Sequence, residues 1–214
     1  MIVKVLVVAA VVAFLTGAPA VHADTPDPLT GIAVAPLHHR SDYRRAFFGE
    51  PWTEDNDGPL GHRGCDTRDQ ILDRDLIDKT YVSVKRCPDA VASGTLNDPY
   101  TGQTIIFERG PQSSAAVQID HLVPLALAWD EGAYNWTDEE RVRFANDPAE
   151  LLAVDGQANQ DKSDYPPGRW MPPNKGFACQ YAIKFVAVLR EYSLPIDPGS
   201  VPVVQQATAT CPTP

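Results

Sequence analysis

Val117-Gln118-Ile119-Asp120-His121-Leu122-Val123-Pro124 is a short alternating apolar run that ends in an Asp-His pair, with a proline three residues later. The alternation predicts a strand over Ala116–Asp120, and the proline breaks it. A strand stopping there leaves a carboxylate and an imidazole at an element edge, where a substrate can reach them. A second segment, Ala158-Asn159-Gln160-Asp161-Lys162-Ser163-Asp164, predicts the start of a helix. Between the two, Leu151–Val154 reads as another strand followed by a turn. The order is strand, long insertion, strand, helix. A hairpin with the helix packed across it brings Asp120 and Asn159 together.

The chain has 214 residues. Residues 1–23 carry one early lysine, Lys4, an apolar run from Val5 to Leu15, and a small-x-small end at Val21-His22-Ala23. That is the pattern of a secretory signal peptide, and the run is shorter than the ~20 residues a bilayer span needs. Export to the extracellular space is expected, with no membrane attachment after cleavage. Taking 23 from 214 leaves 191 residues, which suits one domain with its own core. Four cysteines, Cys65, Cys87, Cys179 and Cys211, favour two disulfides in an exported chain. Three pairings are allowed. The nearest-neighbour pairs Cys65–Cys87 and Cys179–Cys211 are the expected ones. Zinc ranks below them, because no C-x-x-C spacing is present.

The net charge is −10, and −11 without Lys4. This argues against non-specific, charge-driven binding to nucleic acid, which needs a basic face. A local groove is still open to Arg40, Arg44, Arg45, Arg63, Arg68, Lys162 and Arg169. The 20 prolines and 14 glycines predict much irregular structure. Residues 24–36 read as a flexible lead-in and 196–214 as a Pro-rich tail. Leu37–Phe48 reads as a short helix with a basic side, and Asp66–Ile77 as a helix that Thr67 can cap. Tyr81–Lys85 and Thr104–Phe107 read as strands. Thr137-Asp138-Glu139-Glu140 is a capping box. Phe177–Tyr192 is a helix whose stripe of Phe177, Tyr181, Phe185, Val188, Leu189 and Tyr192 belongs in the core.

The Asp120 and Asn159 side chains offer hard oxygens, which suit Mg²⁺, or Mn²⁺ as the second choice. His121 has an ordinary pKa near neutrality and can take a proton from water. Lys162, three residues past Asn159 on the same helical face, is a phosphate-binding candidate, and Arg68 and Thr67 are weaker ones. Each has a plainer alternative. An asparagine near a helix start is usually a cap, a lysine is usually solvated, Thr67 can simply cap, and Arg68 can simply pair with an acid.

Asp120-His121-x-x-Pro124 followed by Asn159-x-x-Lys162-Ser163-Asp164 resembles the HNH, or ββα-metal (His-Me finger), nuclease motif. The wider match, with Cys65-Asp66-Thr67-Arg68, Tyr100-Thr101-Gly102, Phe144–Pro148 and Trp170-x-Pro172-Pro173, is similar to a secreted bacterial HNH-endonuclease-like family. That family is related to the C-terminal domain of GmrSD-type restriction enzymes. The resemblance covers about Arg44 to Tyr192. It implies an α+β fold with a ββα-metal core at about 115–165, inside a nuclease-like domain over 37–195, with added helices and Pro/Gly-rich loops. It implies His121 as general base and Asp120 and Asn159 as metal ligands. The middle Asn of the motif usually sits directly before the second strand. Glu150 stands there instead, and Asn146 is the nearest candidate for the orienting role. The implied function is metal-dependent endonuclease action on DNA, with RNA as a further substrate, by a monomer. Two other classes remain: a catalytically silent extracellular binding or structural protein with this fold, and a phosphodiesterase acting on a small diester.

Overall fold

A computed structural model describes residues 27–212, so the predicted signal peptide lies outside the described residues. The first helix, α1, spans Thr67–Asp75. Three strands follow, β1 Ile77–Val84, β2 Cys87–Asn97 and β3 Thr104–Glu108, in an antiparallel sheet of that order. Then come β4 Val117–His121, α2 Leu125–Glu131 and α3 Asp138–Ala145. β5 Leu151–Asp155 pairs antiparallel with β4, and α4 Gly156–Lys162 follows directly. α5 Ala178–Glu191 and α6 Ser200–Thr208 complete the chain. The architecture is mixed α and β, with two small sheets.

The β4–β5 hairpin divides two cores. Val117 and Ile119 on β4, with Leu151 and Ala153 on β5, pack beside Ile71 and Leu72 of α1 and Val91, Leu96 and Phe107 of the three-stranded sheet. The other core is built from helices, with Leu122, Phe144, Val154, Ala158, Tyr181, Phe185 and Leu189 among its members. The predicted stripe of the long helix lies in this core. The strand register sets Gln118 opposite Val154 and Asp120 opposite Leu152. Side chains alternate along a strand, so Gln118 and Asp120 share a face, and Ile119 and His121 share the opposite one. Gly156 lets α4 dock: a Cβ there would stand 2.3 Å from the Ala115 carbonyl oxygen.

Both nearest-neighbour disulfides are formed, Cys65–Cys87 and Cys179–Cys211. The second ties α5 to the chain end beyond α6. That segment corrects the expectation of a Pro-rich tail, because residues 200–208 are helical. Pro202 is tolerated because it lies in the first turn, where backbone N–H groups have no intrahelical acceptor. The lead-in is also more ordered than composition suggests. Leu29 is buried in the helical core, and Val34 bridges to Ile196. Residues 37–48 contain only one 3₁₀ turn, Arg45–Phe48. Asp66, not Thr67, caps α1 by accepting from Asp69 N. The capping box at Thr137 and Glu140 is formed. No described helix is long and apolar enough to cross a membrane.

Glu131, at the end of α2, makes stability depend on pH. Burial pushes its carboxyl up to about 9, with Asp197 and Asp130 adding repulsion. Its Oε2 is sealed from solvent without a partner. The folded pKa lies above the unfolded value. The stabilising effect is therefore complete below the ordinary 4.5 and is lost as pH rises toward 9. Glu131→Gln is expected to match the parent near pH 5 and to exceed it by on the order of 2 kcal/mol near pH 8. Urea melts at the two pH values check this, and parallel pH curves for parent and variant would refute it.

Candidate active site

A cleft of about 420 Å³ runs along the edge of β4 that β5 does not pair. Gln118, Ile119, Asp120 and His121 line one side, Asn159, Gln160, Ser163 and Asp164 another, and Arg45, Trp52 and Arg68 the rim. The residues that the sequence picks out as ligands and base thus share one cavity. Asp120 and His121 point to opposite strand faces, yet both reach the cleft because it wraps around the strand edge.

His121 is buried, and its ring stacks on Trp52 with centroids 5.4 Å apart and planes 13° from parallel. Nε2 lies 3.0 Å from the Ala145 carbonyl oxygen. A carbonyl only accepts, so Nε2 carries the proton and donates it, which leaves the lone pair on Nδ1. Nδ1 has no hydrogen-bond partner among the described residues, and it is not among the polar atoms sealed from solvent without a partner. Desolvation lowers His121 to about 3 against the Ala145 carbonyl's opposing pull, with Arg45 and Lys162 adding to the lowering. The imidazole is therefore neutral across the physiological range and able to accept a proton.

Asn146 does not touch this ring. It is buried, accepts from Thr67 Oγ1 at 2.8 Å and donates to the Val142 carbonyl at 2.9 Å. It anchors the loop whose preceding residue, Ala145, supplies the carbonyl at His121. Thr67 is fully buried in that contact and in one to the Thr53 carbonyl at 3.2 Å, which corrects its candidacy as a phosphate contact. Glu150, in the motif's middle position, is buried, and both its oxygens accept from Val123 N at 3.0 and 3.2 Å. Its own carbonyl accepts from Leu122 N. It clamps the turn that follows His121. Desolvation pushes its carboxyl up, with the Val123 N–H pulling the other way.

Asp120 is buried between two partners. Lys162 Nζ donates to Oδ1 at 2.9 Å, and the Tyr100 hydroxyl donates to Oδ2. Burial raises the Asp120 carboxyl, and Lys162 is the strongest pull in the other direction. Lys162 also donates to the His121 carbonyl at 2.7 Å and has no exposed surface. It is therefore not available to a phosphate entering the cleft, which corrects its candidacy. The helical spacing from Asn159 holds, but by that point α4 turns the side chain inward beneath β4.

Tyr100 comes from a turn built for it. Asp98 accepts from Thr101 N at 2.7 Å and from Asp155 N at 2.9 Å, tying the turn to the end of β5. Asn159 donates from Nδ2 to Gln118 Oε1 at 2.9 Å, so its amide oxygen is turned away from Gln118 and has no hydrogen-bond partner among the described residues. Arg68 donates from one terminal nitrogen to the carbonyls of Ser114 and Val117, bracing the unpaired strand edge. Its other donors have no partner among the described residues.

Three contacts of the candidate site are not legible in the sequence: the Ala145 carbonyl, the Trp52 stack and the Tyr100 hydroxyl. The first is a backbone atom, which carries no residue signature. Trp52 lies in a stretch that reads only as loop. Tyr100 sits in Asp98-Pro99-Tyr100-Thr101-Gly102, where the turn signal is clear but the direction of the ring is not.

In comparison with known proteins, residues 66–195 match the family described as GmrSD restriction endonucleases, C-terminal domain. An uncharacterized secreted protein of Arthroderma benhamiae is 33% identical over 186 residues, covering 86% of this chain and 82% of the relative. No solved structure matches the chain.

Proposed function

The chain belongs to the family of the GmrSD restriction endonuclease C-terminal domain, and from that premise we propose that it is a metal-dependent endonuclease hydrolysing phosphodiester bonds of DNA, with RNA as a further substrate. It is a secreted protein, in keeping with its two disulfides and its secreted relative. The observation that carries the proposal is the state of His121. It is neutral, with Nε2 fixed on a backbone carbonyl and Nδ1 unengaged, inside a cleft that Asn159 also lines.

His121 Nδ1 takes a proton from a water in the cleft, and the water oxygen attacks phosphorus in line with the departing oxygen. The family resemblance implies products with a 5′-phosphate and a 3′-hydroxyl. The negative diester offsets part of the desolvation that holds His121 low, so the base strengthens as substrate enters. Ala145 and Trp52 keep the imidazole in place during the transfer, and Arg68 offers its free donors to a phosphate oxygen.

The donor set suits a hard divalent cation. Asn159 Oδ1 is free, and each Asp120 oxygen has a second acceptor site beyond its bond to Lys162 or Tyr100. Among the described residues no group of three or more His, Cys, Asp or Glu side chains stands ready for a metal. Two protein oxygens with open remaining positions fit Mg²⁺ or Mn²⁺ arriving with phosphate and water. Bound by Asp120 and Asn159, such an ion would supply positive charge against the phosphate and the leaving oxygen.

One observation favours the competing reading, a catalytically silent protein of this fold: Asp120 is buried and already paired. Incubation with supercoiled and linear DNA, with Mg²⁺, with Mn²⁺ and with chelator, separates the two. Nicking that requires metal is expected. No cleavage in either metal would sink the nuclease reading, and turnover of a small diester with plasmid left intact would redirect it to phosphodiesterase chemistry.

A further inference from the structure

We propose that Arg45, in the segment ahead of the family-matched residues, is a phosphate-binding residue of the cleft. The inference rests on the nuclease reading above for the identity of the ligand, a nucleic-acid phosphodiester, and on its own geometry for the site.

Seven cations are candidates for a local basic groove, and the structure disperses most of them. Lys162 is buried against Asp120. Arg40 is paired with Asp42 at 2.6 Å. Arg44 is turned onto the carbonyls of Tyr43 and Ser41 at 2.7 and 3.3 Å. Arg169 lies over the Tyr165 ring. Arg63 is not on the cleft. Arg45 and Arg68 alone of the seven line it, and Arg68 already spends one nitrogen on two carbonyls.

The Arg45 side chain is exposed and has no hydrogen bond or ion pair among the described residues. Its backbone is nonetheless fixed. Its 3₁₀ turn is held by Arg141 Nε donating to the Phe47 carbonyl at 3.0 Å, by Phe48 buried in the helical core, and by Phe47 stacked on Trp129 at 4.9 Å. A cation on a rigid turn, with its guanidinium unpaired and His121 and Asn159 across the same cavity, is placed for a charge-assisted contact to a phosphate oxygen. An acidic protein gains most from such a residue, because its net charge opposes the approach of the substrate.

The test needs no catalysis. The disulfide-bonded protein carrying His121→Ala, which leaves the probe intact, is titrated with a labelled single-stranded DNA oligonucleotide at several salt concentrations. Adding Arg45→Ala is expected to raise Kd about tenfold and to reduce the slope of log affinity against log salt by about 0.7. Adding Arg45→Lys recovers part of the affinity. Adding Arg44→Ala removes the same charge next door and is expected to change Kd by less than about twofold. Equal losses from Arg44→Ala and Arg45→Ala would mean a net-charge effect and overturn the proposal. So would an oligonucleotide affinity that Arg45→Ala leaves unchanged or that is absent from the start. Affinity that depends on Arg45 in a protein that cleaves nothing would keep this site and remove the nuclease reading.

Discussion

His121→Ala is expected to lower the rate of metal-dependent DNA nicking by about 10²–10⁴-fold while the protein stays folded. The size follows from what the residue supplies. A general base removes the attacking water's proton in the transition state; His121 is the one imidazole lining the cleft, and Asp164 is the one lining carboxylate besides Asp120. Gln118 and Gln160 are amides, Asn159 offers an amide oxygen, and Asp120 is committed to Lys162 and Tyr100. Two variants divide basicity from position. His121→Gln keeps an N–H for the Ala145 carbonyl and fills much of the same space, but it carries no titratable nitrogen. It should be as inactive as His121→Ala. Trp52→Ala keeps the base and removes its stacking partner, so it should be impaired but measurably active. Initial rates of supercoiled plasmid nicking, with circular dichroism melts alongside, provide the comparison. Activity in His121→Ala within about threefold of the parent would remove the base from the assignment.

Much of the site is legible in the sequence because it rests on local patterns. Alternation marks Ala116–Asp120 as a strand, and Pro124 ends it. The run Leu151–Val154 marks its partner, and the residues after it start a helix. Those elements are observed within one or two residues of the predicted bounds, and their pairing brings Asp120, His121 and Asn159 to one cavity. The disulfides follow from the shortest loops. The parts that are not legible depend on tertiary direction. Helical spacing puts Lys162 on the Asn159 face, but a fully buried lysine is rare, so a solvated or phosphate-facing side chain is the natural expectation. The orienting group for His121 is a carbonyl, and any residue type at position 145 would supply it. β2 is hidden by Pro88, Asp89, Ser93 and Gly94, which are poor strand formers. Here pairing with β1 and β3 overrides propensity. Composition also misplaces residues 200–208, because a proline count ignores that the first helical turn tolerates proline.

Lys162→Met is expected to cost about 3–5 kcal/mol of stability at neutral pH, because it leaves the Asp120 carboxylate buried and unpaired. The ion pair is deeply enclosed, with Lys162 fully buried and Asp120 nearly so, and the same ammonium also serves the His121 carbonyl. The loss should depend on pH in a defined direction. Burial raises Asp120, and Lys162 is the main influence lowering it. Without the lysine the folded pKa climbs further above the unfolded one. The variant is then least impaired in acid, where Asp120 is protonated in both states. Its deficit grows as pH rises above about 4 and the unfolded chain gains by ionising. The double variant Asp120→Asn with Lys162→Met removes both charges and should recover much of the single variant's loss, giving a coupling energy on the order of 2 kcal/mol in a double-mutant cycle. It should remain inactive, because an amide at position 120 cannot supply the carboxylate. Urea melts at pH 4 and pH 7 on the parent, both single variants and the double variant measure all of this. If the two single losses simply add, Asp120 and Lys162 are independent side chains. If they couple, the lysine three residues past Asn159 holds the Asp120 carboxylate in place beside His121.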